Sequence, residues 1–110
     1  NNYPVIYDDR IKERDCGEFT GKGFESLDRD LYWNYYDKTK YEKAESIEHL
    51  FNRVYDFLNE IKEKYKDKTI LLVTHEGITK TINCYFNGVP KDGNLQTLGL
   101  KNCEVAKYQL

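Results

Sequence analysis

Apolar side chains recur at steps of three and four from Ile47 to Tyr65, through Leu50, Phe51, Val54, Leu58 and Ile61. That spacing lines one face of an α-helix. Ser46 stands where its hydroxyl can accept from the free amides of the first turn. Glu48 near the start, and Lys62, Lys64 and Lys66 near the end, suit the helix dipole. Ile78 to Phe86 predicts a second helix, ended by Asn87-Gly88 and Pro90. Three other stretches predict strands. Val5 to Lys12 reads as a short extended segment. Thr69 to Thr74 runs apolar without alternation, the pattern of a strand buried on both faces. Glu104 to Leu110, with Val105, Tyr108 and Leu110 among polar residues, is expected to close the chain as a strand. Between these elements, Gly17, Gly21 and Gly23 punctuate a loop. The aromatic stretch Leu27 to Tyr41 has poor periodicity and predicts one or two short helical turns, and Lys91-Asp92-Gly93-Asn94 is a polar loop.

The predicted order is strand, irregular loop, helix, strand, helix, strand, an α/β plan. A strand buried on both faces needs strand neighbours on both sides, and three strands offer few, so exposed sheet edges are expected. The sequence contains no methionine and opens on Asn1-Asn2-Tyr3-Pro4. Together these lead to the expectation of a processed start or of a piece of a longer protein. The 110 residues suffice for one domain.

Composition narrows the function classes. Apolar residues make up 39% and charged residues 33%, with a net charge of −2 and both signs mixed along the chain. No basic stripe points to nucleic acid, and the longest apolar run, Ile70 to Val73, is too short to span a bilayer. Cys16, Cys84 and Cys103 are odd in number and widely spaced, which argues against a disulfide framework and a structural zinc site. A reducing, cytoplasmic setting is expected.

The strongest candidate for chemistry is His75, between the predicted buried strand and the next helix. Ligands of open α/β sheets collect at the carboxyl ends of strands, where the amides of the following helix favour phosphate. Gly77 would let the backbone approach an anion closely. His49, beside the apolar stripe of the long helix, reads as a surface or boundary histidine. Glu13 suits either a general acid beside a glycine loop or a solvated loop acid, and its charged surroundings favour the second. Arg14 suits either a phosphate ligand or a surface charge. Cys16 has no evident base and reads as an inert thiol.

Two segments together resemble a known family. Asp9-Arg10-Ile11-Lys12-Glu13-Arg14-Asp15-Cys16-Gly17-Glu18-Phe19-Thr20-Gly21 is similar to the Arg-Leu-x-Glu-x-x-x-Gly-x-x-x-Gly segment of histidine phosphatases, the phosphoglycerate-mutase-like proteins. Ile70 to Lys80, with Thr74-His75-Glu76-Gly77, resembles that family's later strand-His-Gly-Gly-helix segment. Glu45-Ser46 sits where the family has Gly-Glu-Ser at a helix start, and Asn102-Cys103 resembles the Asn before its last strand. The order holds over essentially the whole chain.

The resemblance implies a three-layer α/β/α fold with a mixed, mostly parallel sheet, of which residues 1–110 would be the C-terminal portion of a single domain. It implies phosphomonoester hydrolysis through a phosphohistidine. Carried over, Glu13 is the acid/base, His75 the second histidine that neutralises phosphoryl oxygens, and Arg14, Glu76 and Gly77 line the phosphate or substrate. No metal or organic cofactor is implied. The family's nucleophile stands in an Arg-His-Gly motif, and this sequence has only His49 and His75, neither in such a motif. These 110 residues alone are therefore expected to be inactive. Glu13-Arg14-Asp15-Cys16-Gly17 differs from the Glu-Arg-His-Tyr-Gly of cofactor-dependent mutases, so the sequence leans to phosphatase. The alternatives are a phosphoglycerate mutase or a catalytically inactive binding or regulatory module. The expected partners are a small phosphorylated metabolite and either a missing N-terminal segment or a second copy covering the sheet edges, with no nucleic acid and no membrane.

Overall fold

The computed structural model describes residues 3–17, 29–37 and 44–110. Its elements are a 3-10 turn at Asp9–Ile11 and three helices: α1 (Arg29–Tyr32), α2 (Ile47–Lys64) and α3 (Glu76–Asn87). Gly21 and Gly23 of the predicted loop, and Leu27 and Tyr41 at the limits of the aromatic stretch, lie outside the described residues.

Helix α2 forms where the apolar spacing predicts it. The Ser46 hydroxyl accepts from the amide of His49 at 3.0 Å, satisfying one of the first-turn donors. The buried face carries Ile47, Leu50, Phe51, Val54, Leu58 and Ile61, joined by Phe57. Helix α3 begins at Glu76, two residues before the predicted start, and stops at Gly88, whose φ of 83° lies in the left-handed region open to glycine. Its buried Ile78 and Ile82 pack with Leu50, Val54, Phe57, Leu58 and Ile61 of α2 to make the main core. A second cluster joins Ile47 and Phe51 to Cys84 and Leu95.

The loop after α3 braces the segment after α1. Tyr35 donates its amide to the Gly93 carbonyl at 2.8 Å, and Leu95 donates to the Trp33 carbonyl at 2.9 Å, around an isolated antiparallel bridge between Asn34 and Asn94. Gly93 has a φ of 74°, and a Cβ there would fall 2.6 Å from the Tyr36 ring and 2.7 Å from Asn34 Oδ1. Tyr35 and Trp33 are thereby held against the helices.

The predicted sheet does not form among the described residues. Among the described residues there is no strand, and the three stretches read as strands run without partners. Leu71 and Val73, expected to be buried on both faces, are 82% and 83% exposed. Val5, Ile6, Tyr7 and Val105 are exposed as well, and Asp9–Ile11 closes into a 3-10 turn inside the first predicted strand. The α/β expectation, with its three layers and mixed parallel sheet, is thus corrected: the described core is helix on helix. The physical reason is that an apolar run becomes a strand only when ladder partners satisfy its amides and carbonyls, and these segments have none. Single side chains still touch the core, Ile11 and Leu72 among them, and the Tyr108 ring stacks on Phe86 at 4.5 Å. The accessible surface is 8404 Å², against roughly 6,400 Å² for a compact monomer of this mass.

Candidate functional site

The segment from Asp8 to Asp15 has little regular structure, and side chains fasten it to α2. Arg10 pairs with Asp8 at 2.8 Å and reaches Asp56 at 2.7 Å and Glu60 at 3.2 Å on α2. Further along, the amide of Glu45 donates to the Asp15 carbonyl at 2.8 Å, and Arg14 Nε donates to the Glu45 carbonyl at the same distance. Arg53, one turn before Phe57, donates to the carbonyls of Arg10 at 2.7 Å and Glu13 at 3.3 Å. The Thr74 hydroxyl donates to the Ile11 carbonyl, joining the segment to the approach to α3.

This fastening brings Glu13 to the amino terminus of α3. Glu13 Oε2 accepts from the Gly77 amide at 3.2 Å, across 64 positions of sequence, and Oε1 accepts from the Arg14 amide at 2.9 Å. The carboxylate thereby caps a helix whose N-cap residue, His75, makes no side-chain capping bond. Free first-turn amides and the helix dipole favour an anion at this point. A Cβ on Gly77 would lie 2.2 Å from Glu13 Oε1 and 2.8 Å from the tip of the Trp33 ring.

Trp33 stands between two cations. The Arg14 guanidinium lies 5.0 Å from its centroid, and the Lys80 ammonium 4.8 Å. Both side chains are buried, which for a charged group requires partners. Arg14 donates to the Tyr32 carbonyl at 2.6 Å and stacks 3.7 Å from the Tyr32 ring centroid. Lys80 pairs with Glu76 one turn earlier at 2.6 Å. Burial, and next a hydrogen bond with Cys16, push the Tyr32 phenol above its usual value.

The candidate residues therefore lie as follows. Glu13 and Gly77 are in contact, and His75 stands two residues before Gly77 with its ring exposed to solvent. Glu76 is exposed and engaged with Lys80, while Arg14 is buried beneath Trp33 and Tyr32. His49 is exposed on α2 and pairs with Glu45 at 2.5 Å. Arg53 and Lys80 carry no functional reading from the sequence, and Trp33 belongs to the aromatic stretch read as helix packing or a lid. A sequence trace of Arg53 does exist, since Glu45, His49 and Arg53 recur every four residues and so share one helical face. Beside them a cleft of about 420 Å³ is lined by Lys12, Glu13, Asp15, Glu45, His49 and Arg53.

Among the described residues, no group of three or more His, Cys, Asp or Glu is placed to hold a metal ion, and no helix is long and apolar enough to cross a membrane.

A carboxylate facing a helix amino terminus just after a solvent-facing histidine is an arrangement suited to phosphate chemistry. The sequence profile of the histidine phosphatase superfamily (branch 1) matches residues 1–110, and the chain belongs to that family. It is 27% identical over 112 residues to the protein named "Putative phosphoserine phosphatase 2" of Hydrogenobacter thermophilus, covering 96% of this chain and 54% of the relative. It is also 27% identical over 115 residues to "Phosphoserine phosphatase 1" of the same organism, covering 99% of this chain and 53% of the relative. The chain spans about half the length of these curated relatives. No solved structure matches it significantly.

Proposed function

We propose that the whole protein hydrolyses a small phosphomonoester through a phosphohistidine, and that these 110 residues supply the acid/base and part of the phosphate site. The observation that carries this reading is the Glu13 carboxylate on the Gly77 amide, at the helix amino terminus that follows His75. In this reading the phosphoryl group binds beside the first turn of α3, and the His75 ring donates a hydrogen bond to one of its oxygens. A phosphate dianion arriving beside Glu13 repels an ionised carboxylate and selects the protonated form. Glu13 then passes that proton to the leaving oxygen as the P–O bond breaks and the nitrogen–phosphorus bond forms. In the second step Glu13 takes a proton from the attacking water, and inorganic phosphate leaves. Arg14, wrapped between the Tyr32 ring and two backbone carbonyls, acts in this scheme by holding the floor of the site.

The nucleophilic histidine is assigned to residues outside this sequence. His49 is exposed on α2 and paired with Glu45, and this reading gives His75, at the N-cap of α3, the phosphate-neutralising role. The names of the two relatives make O-phosphoserine the first substrate to try, beside p-nitrophenyl phosphate as a general probe. The expected result is turnover by the full-length protein with an acid-labile phosphoenzyme, and none by the 110-residue chain. Turnover by the 110-residue chain at its own mass of 13.1 kDa, abolished by His75→Ala, would sink the assignment of the nucleophile. Turnover by the full-length protein that survives Glu13→Gln on alkyl phosphates would sink the acid/base assignment.

A further inference from the structure

The geometry points to Arg53 and Glu45 as the device that positions Glu13 for proton transfer, an inference that rests on the acid/base reading of Glu13. Glu13 sits in a segment with no helix or sheet to fix its register, so its place depends on what grips the backbone around it. Arg53 grips it directly. Its Nε and Nη2 donate to the two oxygens of Glu45 at 2.6 and 2.8 Å, Nη1 donates to the Arg10 carbonyl at 2.7 Å, and Nη2 also meets the Glu13 carbonyl at 3.3 Å. Glu45 closes the grip from the other end, because its carboxylate accepts from the Asp15 amide at 3.3 Å. Its main chain also exchanges hydrogen bonds with Asp15 and Arg14. Residues 10, 13, 14 and 15 are thereby tied to one nearly buried ion pair between α2 and the residue just before its cap.

The pair is built for this and not for the surface. The side chains of Arg53 and Glu45 are only 13% and 7% exposed, where an exposed pair would hold little. The planar guanidinium binds the carboxylate through two parallel bonds, which fix direction as well as distance. A lysine could supply the charge but not the four directed contacts. Glu13 needs this constraint because proton transfer falls off sharply when the acid is displaced by about 1 Å. In this inference Arg53 acts through Glu13 as a positioning residue.

The test compares two classes of substrate in the full-length protein. An alkyl phosphate needs a proton on its leaving oxygen, whereas p-nitrophenolate leaves without one. Arg53→Gln and Arg53→Lys are expected to lower kcat on the alkyl phosphate by about 10²-fold, within the range a general acid supplies. KM should stay near its wild-type value, and p-nitrophenyl phosphate should lose only a few-fold. Glu13→Gln is the reference and should show the same selectivity. If Glu13→Gln is selective and the Arg53 variants slow both substrates alike, or neither, the positioning role is overturned while the acid/base reading stands. If Glu13→Gln is not selective, the acid/base reading itself fails. Should the Arg53 variants fold poorly, Glu45→Gln repeats the comparison. An independent measurement is the nitrogen-15 spectrum of the full-length protein, in which the amides of Arg14 and Gly77 both donate to the Glu13 carboxylate. Arg53→Lys is expected to move both amide signals, and unchanged signals would overturn the inference.

Discussion

Gly77 has room for a hydrogen and little else. A methyl group there would meet Glu13 Oε1 at 2.2 Å and the Trp33 ring at 2.8 Å. Alanine is the better helix former by about 1 kcal/mol, while the lost amide–carboxylate bond costs roughly 1.5–3 kcal/mol at most. The clashing oxygen is the far end of a flexible side chain, so it can swing away. The Trp33 ring tip must shift as well, so Gly77→Ala is expected to lower the urea midpoint and to move the nitrogen-15 signal of the Arg14 amide, which shares the Glu13 carboxylate. Glu45 carries the pH dependence at this scale. Burial pushes its carboxyl up, but the hydrogen bonds from Arg53 and His49 outweigh burial and hold it below the usual 4.5. Asp8 is lowered as well, chiefly by its hydrogen bond with Arg10, against the opposing effect of burial. A depressed carboxylate contributes stability that is fully present above its unfolded value and is lost as pH falls through the folded one. Urea midpoints are thus expected to fall on acidification below about 4.5, the ordinary value for Glu45, and Arg53→Gln, which leaves burial opposed mainly by His49, should lower the midpoint at neutral pH and shrink that acid-dependent fall.

The elements differ in what keeps them folded. The long helix α2 combines a side-chain cap, favourable terminal charges and an apolar face, and the last of these dominates. Leu58 is 1% exposed between α2 and α3. Leu58→Ala is expected to cost about 2–5 kcal/mol, whereas Ser46→Ala, which removes one capping bond, should cost about 1 kcal/mol. Guanidinium melts of the two variants check the ratio. Similar losses would mean that the helix pair is not the main core. Local spacing made α2 legible before any coordinates, and it made α3 legible to within two residues at its start. Phe57, three positions after Val54 and four before Ile61, obeys the same spacing and belongs to the same stripe. The three apolar stretches were misread as strands because an apolar run carries no information about its partner, and pairing is a non-local property.

At the scale of the whole molecule, the surplus of surface is the informative quantity. Leu71, Val73, Val5, Ile6, Tyr7 and Val105 present apolar area on segments with no ladder partner. Exposed apolar side chains in such number are an aggregation hazard, and where they lie together they mark an interaction surface. The 110-residue chain is expected to bind anilinonaphthalene sulfonate and to self-associate as concentration rises, as measured by fluorescence and sedimentation velocity. Leu71→Lys with Val73→Lys should reduce both. Substitutions at such exposed positions ordinarily change stability by less than about 0.5 kcal/mol, so unchanged association would place the sticky surface elsewhere.

The sequence by itself determined the two long helices, the Ser46 cap and the family, because helix periodicity, capping and ordered motifs are written within a few turns of chain. It also singled out Glu13, His75 and Gly77, though not that Glu13 and Gly77 touch. Only the tertiary structure decided that the carboxylate lies on the α3 amino terminus, and that Arg53 and Glu45 grip the backbone around it. Those contacts join residues 64 and 40 positions apart, and nothing in the local pattern of either segment records the distance between them. The tertiary structure likewise decided the fate of the apolar stretches. Their composition favours extended backbone, but a strand exists only when a second segment supplies the matching hydrogen bonds, and among the described residues none does.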